Sequence, residues 1–293
     1  VLNTDLDEVV VIGYGSIKRR DLTGSVVSIS GEDIIATPTS NIMEALQGKI
    51  AGADIMRPSG EVGGGVDILI RGNRSIYGSN SPLFIIDGVQ GADYNQLNPN
   101  DIESLDVLKD ASSTAIYGSA GANGVVIITT KRAKDGKVKI DLNAYHGFAG
   151  EANFIHGMNK DEWINYNKEY YRTQNGVYPE TIDQLFTNLD MQEAIKNNRW
   201  IDWIDEVTKG NATKDNISLS ISGGNEKAKV YSSITYDSQN GLLPDENQKR
   251  YGLRLNADFQ INKMVKVGLS SSLTYTIRNN RRKNIFTKAI SAE

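Results

Sequence analysis

The sequence predicts two structural regimes in one chain. The first is an α+β domain with a small mixed sheet and short helices. The second is the first antiparallel strands of a large transmembrane β-barrel, left incomplete here. Three observations carry this. Between Leu83 and Arg132 short apolar strands are punctuated by the turn pairs Asp87-Gly88 and Asn123-Gly124. From Lys137 onward the hydrophobic period becomes two. The connections between those later strands alternate between tight turns and long loops.

The N-terminal run Asp7-Glu-Val-Val-Val-Ile-Gly13-Tyr-Gly15 has the outline of a strand entering a dinucleotide-binding turn. That fingerprint needs a third small residue where helix packs on strand. Lys18 stands there, followed by Arg19, Arg20 and a second strand-like run, Gly24–Ser30. A nicotinamide-dependent oxidoreductase is therefore the weakest reading. An acid-led, β-branched run near a terminus suits either a segment that binds by adding a strand to another sheet or an ordinary first strand.

Thr37–Gly48 reads as a capped helix, with Ser40 or Asn41 as N-cap, Ile42, Ala45 and Leu46 on one face and Gly48 as the stop. Gly52–Arg57 alternates like a strand, and the loop Gly60–Gly65 leads into another, Val66–Arg71. No phosphate-cradling pattern is present, since Gly48-Lys49 is followed by Ile50. Phe84–Ile86 is a buried strand ending in the Asp87-Gly88 turn, where Asp87 reads as a turn residue. Asp101–Lys109 is ambiguous between helix and strand. Ala111–Tyr117 supplies one or two helical turns ending at Gly118, and Val125–Lys131 is a β-branched strand.

Beyond Lys137 five strands follow. Val138, Ile140, Leu142 and Ala144 alternate with polar residues, as do Ile217, Leu219 and Ile221, and Val230, Ile234 and Tyr236. The fourth sets Tyr251, Leu253, Leu255, Ala257, Phe259 and Ile261 against Gly252, Arg254, Asn256, Asp258 and Gln260. The fifth runs from Val265 to Ile277. In a barrel the apolar row meets lipid and Arg254, Asn256 and Asp258 meet the lumen. A soluble sandwich gives the same alternation. Loop lengths favour the barrel: tight turns at Gly223–Lys227 and Asn262–Met264, long connections over Ala149–Thr213 and Ser238–Lys249. Tyr145, Phe148, Tyr236, Tyr251 and Tyr275 lie near strand ends, where an aromatic girdle would sit. The first long connection carries two helical stretches, roughly Asn159–Arg172 and Asp190–Glu206, with Trp163, Trp200 and Trp203 suited to a satellite cluster. The basic run Arg278–Lys283 suits lipid phosphates or a solvated loop base.

Composition narrows the function. With 293 residues, 32 Lys+Arg against 36 Asp+Glu and a net charge of −4, no basic excess points to nucleic acid. There is no Cys, which removes disulfides, thiolate metal sites and a lipid-anchor cysteine from this segment. No apolar run approaches the roughly 18 residues of a spanning helix, whereas a barrel strand needs only about 9–11. Val1–Asp5 has neither the basic nor the apolar region of a secretory leader, so an exported protein is expected to begin here after processing or after an upstream domain. His146 and His156 lack partners at metal-ligand spacing. Asp202, Asp205 and Glu206 read as a solvated helix face rather than a glycosidase pair. No catalytic residue, metal site or cofactor is expected, and the chain is not expected to be an enzyme.

Several segments together resemble a known family: Leu46-Gln-Gly-Lys-Ile-Ala-Gly52, Ile68-Leu-Ile-Arg-Gly72, Pro82–Gln90 and Asn98–Arg132. In this order they resemble the plug domain of TonB-dependent outer-membrane transporters, most of all the SusC/RagA-type branch of glycan and peptide importers. The likeness runs from about Asp7 to the chain's end. It implies a Ton-box-like segment over residues 1–15, a plug over 16–134, and the first five barrel strands with long extracellular loops over 135–293. By that resemblance Asp7, Glu8, Val9, Val10, Val11 and Ile12 would meet a TonB-type energy transducer, while Arg71 and Arg74 would hold the plug against wall carboxylates. It also implies a SusD-like outer-membrane lipoprotein as partner, a glycan or peptide substrate, contact with outer-membrane lipid, and a Gram-negative, Bacteroidetes-like outer membrane as location. The family's usual arginine after Ala115-Ile-Tyr-Gly-Ser119 is Ala120 here. The reading from another class is a soluble, secreted glycan-binding or adhesin-like β protein.

Overall fold

The computed structural model describes residues 9–12, 15–18, 26–70, 72, 79–110, 114–150 and 157–280. The chain forms two compact units. One comprises residues 1–147, 213–239 and 247–278; the other comprises 148–212, 240–246 and 279–293.

The first unit opens with an antiparallel pair, β1 (Val9–Ile12) and β2 (Gly15–Lys18), in register from Val9↔Lys18 to Ile12↔Gly15. A strand stands where a dinucleotide fold would open its helix. Next comes β3 (Val26–Ser30), then α1 (Gly31–Ile35), whose first turn is capped by the Ser30 hydroxyl accepting from Asp33 N. The short α2 (Ile42–Ala45) starts at Asn41, whose side chain accepts from Met43 N. β4 (Ala53–Met56) and β5 (Asp67–Ile70) form a separate antiparallel pair.

The central sheet adds β6 (Leu83–Ile86), β7 (Val89–Gln90), β8 (Ile102–Leu108) and β9 (Val125–Thr130), in the order β3-β8-β9-β6-β7. β6 and β9 are parallel; the other neighbours are antiparallel. The ambiguous stretch after Asp101 is thus a strand. Central β9 is apolar on both faces because both are covered. Val126 and Ile128 join a core with Ile34, Ile42, Met43, Leu46, Ile68 and Leu105. Val125 and Ile127 pack with Ile85, Leu108 and Tyr117. Tyr94 lies against Phe84 (ring centroids 4.2 Å apart) and donates to the Val66 carbonyl; burial raises its phenol above the ordinary value.

Five long strands follow as a meander in sequence order: β10 (Gly136–Ala149), β11 (Ala212–Gly224), β12 (Ala228–Asn240), β13 (Asn247–Gln260) and β14 (Lys266–Asn279). Asparagine builds both tight turns, because its side chain accepts from the backbone two and three residues on. Asn225 accepts from Lys227 and Ala228, and Asn262 from Met264 and Val265. The two faces of this sheet are reversed relative to a soluble sandwich. The apolar row is bare, with Ile217 51%, Ile234 62%, Leu253 45% and Leu273 67% exposed. On the three inner strands β11–β13 the polar row is buried, with Asn216 1%, Ser218 3%, Ser233 2%, Arg254 5% and Asn256 2% exposed. A sandwich packs its apolar face inward, so the soluble reading fails on burial.

The girdle expectation holds for three residues. Tyr236 and Tyr251 lie 5.2 Å apart and Tyr251 and Tyr275 6.5 Å apart, a row across three strands near the long-loop end. Tyr145 departs from it. It sits one position out of step with Val138–Ala144, so its hydroxyl is buried on the polar face.

In the second unit, α3 (Lys160–Asn175) begins at Asn159 with a capping box completed by Glu162 and ends at Gly176 (φ +75°). α4 (Ile182–Leu185), α5 (Leu189–Lys196) and α6 (Trp203–Val207) follow. The single helix expected over Asp190–Glu206 is therefore two. Asn198 takes a left-handed φ of +54°, and Asp202 caps a new helix by accepting from Ile204 and Asp205. That cap gives Asp202 a structural role. Trp163 stacks on Phe186 (4.6 Å, 4° between planes), and Trp200 lies 5.9 Å from Trp163. The side chain of Trp203 lies outside the described residues. Hydrogen bonds from Tyr178 and Arg172 hold the Glu169 carboxyl below its ordinary pKa.

Candidate functional site: the inner face of the wall

The inward side chains of β13 form a column along the first unit's small α+β domain. From Gln248 to Asp258 it runs roughly 34 Å at the usual rise per residue. Gln248 meets the glycine loop: a Cβ on Gly63 would lie 1.6 Å from Gln248 Oε1, and Gly63 has φ +63°. A side chain there would be strained and would displace the Gln248 amide. Arg250 donates to the carbonyls of Asn95 and Ser40, each at 2.8 Å. Asn256 donates to Thr130 Oγ1 (3.0 Å) and to the Lys131 carbonyl (2.8 Å). Asp258 pairs with Arg132 at 3.1 Å.

Arg254, midway along the column, faces two carboxylates at 3.6 Å (Asp87) and 3.8 Å (Asp101). Asp87 is a turn residue as expected, at φ +48°, and its carboxylate also accepts from Thr130 N (2.9 Å) and Thr130 Oγ1 (2.7 Å). Asp101 accepts from the Tyr231 hydroxyl at 2.9 Å. Neighbouring strands add Asn100 to Asn216 (3.3 Å) and Gln239 to Ser40.

Near the long-loop end, a cavity of about 400 Å³ opens between the domain and the wall. Ser40, Glu44, Arg57, Asn95, Gln248 and Arg250 are among its lining residues, and Glu44 pairs with Arg57 at 3.2 Å. Its lining of amides, hydroxyls and charged groups suits a hydrogen-bonding solute.

Asp7, Glu8, Arg71 and Arg74 lie outside the described residues, as does His156. Val9, Val10, Val11 and Ile12 form β1 in a two-stranded pair separate from the central sheet. His146 contacts Asp215, and no group of metal-ligating side chains exists among the described residues. Sequence placed Arg254, Asn256 and Asp258 on the wet face but missed what they meet. Both polarities occur: wall Arg250 and Arg254 reach carbonyls and carboxylates of the enclosed domain, while that domain's Arg132 reaches wall Asp258. The signal was arginine and amide at successive inward positions of one strand.

A polar wall face closed over a separately cored α+β domain, with a bare apolar face outside, defines a plugged β-barrel. Comparisons agree. Residues 18–125 match the family described as TonB-dependent Receptor Plug Domain. The chain is 38% identical over 281 residues to TonB-dependent receptor P26 of Formosa agariphila, covering 94% of this chain and 27% of that protein. It is 35% identical over 261 residues to TonB-dependent receptor SusC of Bacteroides thetaiotaomicron, covering 86% and 24%. The solved RagAB peptide importer in its open–open state superposes with a TM-score of 0.79 at 32% identity, covering 94% of this chain and 33% of that one. The chain belongs to the SusC/RagA-type TonB-dependent receptors and holds the plug with the first barrel strands. It spans about a quarter of the length of these curated relatives.

Proposed function

We propose that the full-length protein imports an oligosaccharide or peptide across a bacterial outer membrane, with residues 16–134 as the plug and residues 135–293 beginning the wall. The single observation that carries this is the reversed sheet, whose apolar row suits lipid while its polar row is buried against the plug. Names borne by relatives, among them SusC and a RagAB peptide importer, support nutrient uptake with a SusD-like lipoprotein at the outer face.

Asp7–Ile12 is the segment we assign to a TonB-type transducer. Its position before the plug, and the pairing of Val9–Ile12 with β2 alone among the described residues, suit a strand that can change partners. Arg71 and Arg74 are proposed as further plug–wall contacts. The test is energised uptake by the full-length protein. Val10→Pro removes a backbone donor and should abolish uptake, while Val10→Ala retains it. Ligand binding and membrane insertion should survive both changes. Undiminished uptake after deletion of residues 7–12 would refute the assignment.

A further inference from the structure

Three strand ends of the plug meet at one point on the wall. Because β6 and β9 are parallel and β8 runs against β9, Asp87 after β6, Thr130 at the end of β9 and Asp101 before β8 all fall on one edge of the sheet. Arg254 faces this edge. Its side chain is 6% exposed, and those of Asp87 and Asp101 are 9% and 7%. Arg254 Nη1 also donates to Thr130 Oγ1 at 3.3 Å.

We propose that Arg254 is a wall-borne lock that seats this edge of the plug, one guanidinium shared by two plug carboxylates. The proposal rests on the barrel reading above. Both carboxylates have neutral donors besides the arginine: Thr130 N, Thr130 Oγ1 and Ser270 Oγ on Asp87, and the Tyr231 hydroxyl on Asp101. Arg132 is engaged with Asp258. Among these three groups the acids outnumber the cation. Losing one carboxylate therefore leaves a balanced pair, whereas losing the guanidinium leaves two buried carboxylates without their shared cation. The asymmetry separates a charge lock from simple packing, in which each substitution would be harmful in proportion to the contacts removed.

The test uses the full-length protein in planar lipid bilayers, reading the urea midpoint at which plug release opens a conductance. Gel mobility of the folded barrel serves as the control. Arg254→Gln should lower that midpoint by about 1 M or more, with the barrel still folded. Asp87→Asn alone should lower it much less. The triple variant Arg254→Gln/Asp87→Asn/Asp101→Asn should recover most of the loss, and it substitutes for Arg254→Gln if that variant does not insert. An unchanged midpoint for Arg254→Gln, or a triple variant as impaired as Arg254→Gln, overturns the lock. A wild-type protein that never conducts at any urea concentration overturns the barrel reading instead.

Discussion

Leu255→Arg tests the outward face of the wall where the burden on a charge is greatest. β13 runs from Asn247 to Gln260, so Leu255 lies about one and a half residues from its midpoint. With the usual rise and a barrel tilt near 40°, that displacement is about 4 Å along the membrane normal. The tyrosine row gives an independent mark. Tyr251 stands four residues toward the long-loop end, about 10 Å along the normal, and an apolar band of about 25 Å puts its girdle about 12 Å from the midplane. Both estimates place Leu255 within a few ångströms of mid-membrane. Arginine there should cost about 2–4 kcal/mol of folding free energy in lipid. The same substitution at an exposed position of a soluble protein falls within about 0.5 kcal/mol. Urea titration of the full-length protein folding into vesicles reads the difference. Tyr251→Arg, at the interface, should cost no more than about 1 kcal/mol. A Leu255→Arg penalty below about 0.5 kcal/mol, or one no larger than that of Tyr251→Arg, would refute the assignment of this face to lipid.

Two further substitutions address the plug and the helices of the second unit. Gly63→Ala forces a Cβ into a left-handed residue against Gln248, and should cost at least about 1–2 kcal/mol, read as an earlier plug release in urea. Adding Gln248→Ala should recover the steric part but not the backbone part. Trp163→Ala removes the stack on Phe186, worth about 0.5–1.5 kcal/mol beyond its burial, and uncovers a side chain now 7% exposed. Limited proteolysis should then cut between Gly176 and Asp202 sooner, while the barrel's gel mobility stays unchanged.

Much of the architecture was legible because the local chemistry and the tertiary environment agree. Asn41 before Ile42, Asn159 before a helix with Glu162, and asparagine at both tight turns each do locally what the fold needs. Legibility failed where a decision depended on what lay across a gap. Asp101–Lys109 has an apolar pattern open to either period, and pairing with both β3 and β9 makes it a strand. The helix expected over Asp190–Glu206 broke at Asn198 because a left-handed residue outweighed the run of helix-compatible neighbours. The site was half legible. Alternation assigned Arg254 and Asn256 inward, but Asp87 and Asp101, more than 150 positions upstream, are distinguished only by the sheet topology that gathers their strand ends.

The polarity of the contact between plug and wall follows from the two solvents the wall must satisfy. β13 gives every second residue to lipid, so Gln248, Arg250, Gly252, Arg254, Asn256, Asp258 and Gln260 remain on the inner face. Apart from Gly252 these residues are polar, as befits a lumen that holds water wherever the plug is absent. The plug meanwhile has an apolar core of its own, closed by Ile34, Met43, Leu46 and Leu105, and does not use the wall to bury it. What joins the two is a set of hydrogen bonds and ion pairs, each worth about 0.5–3 kcal/mol net and each replaceable by water. Shifting the plug therefore exposes little apolar surface and leaves its core intact. The barrier to movement concentrates in the few contacts that water replaces poorly, those of buried charge. Arg254 with Asp87 and Asp101 is the most enclosed ion-pair group among the described residues, and on this argument it sets the force at which this edge of the plug leaves the wall.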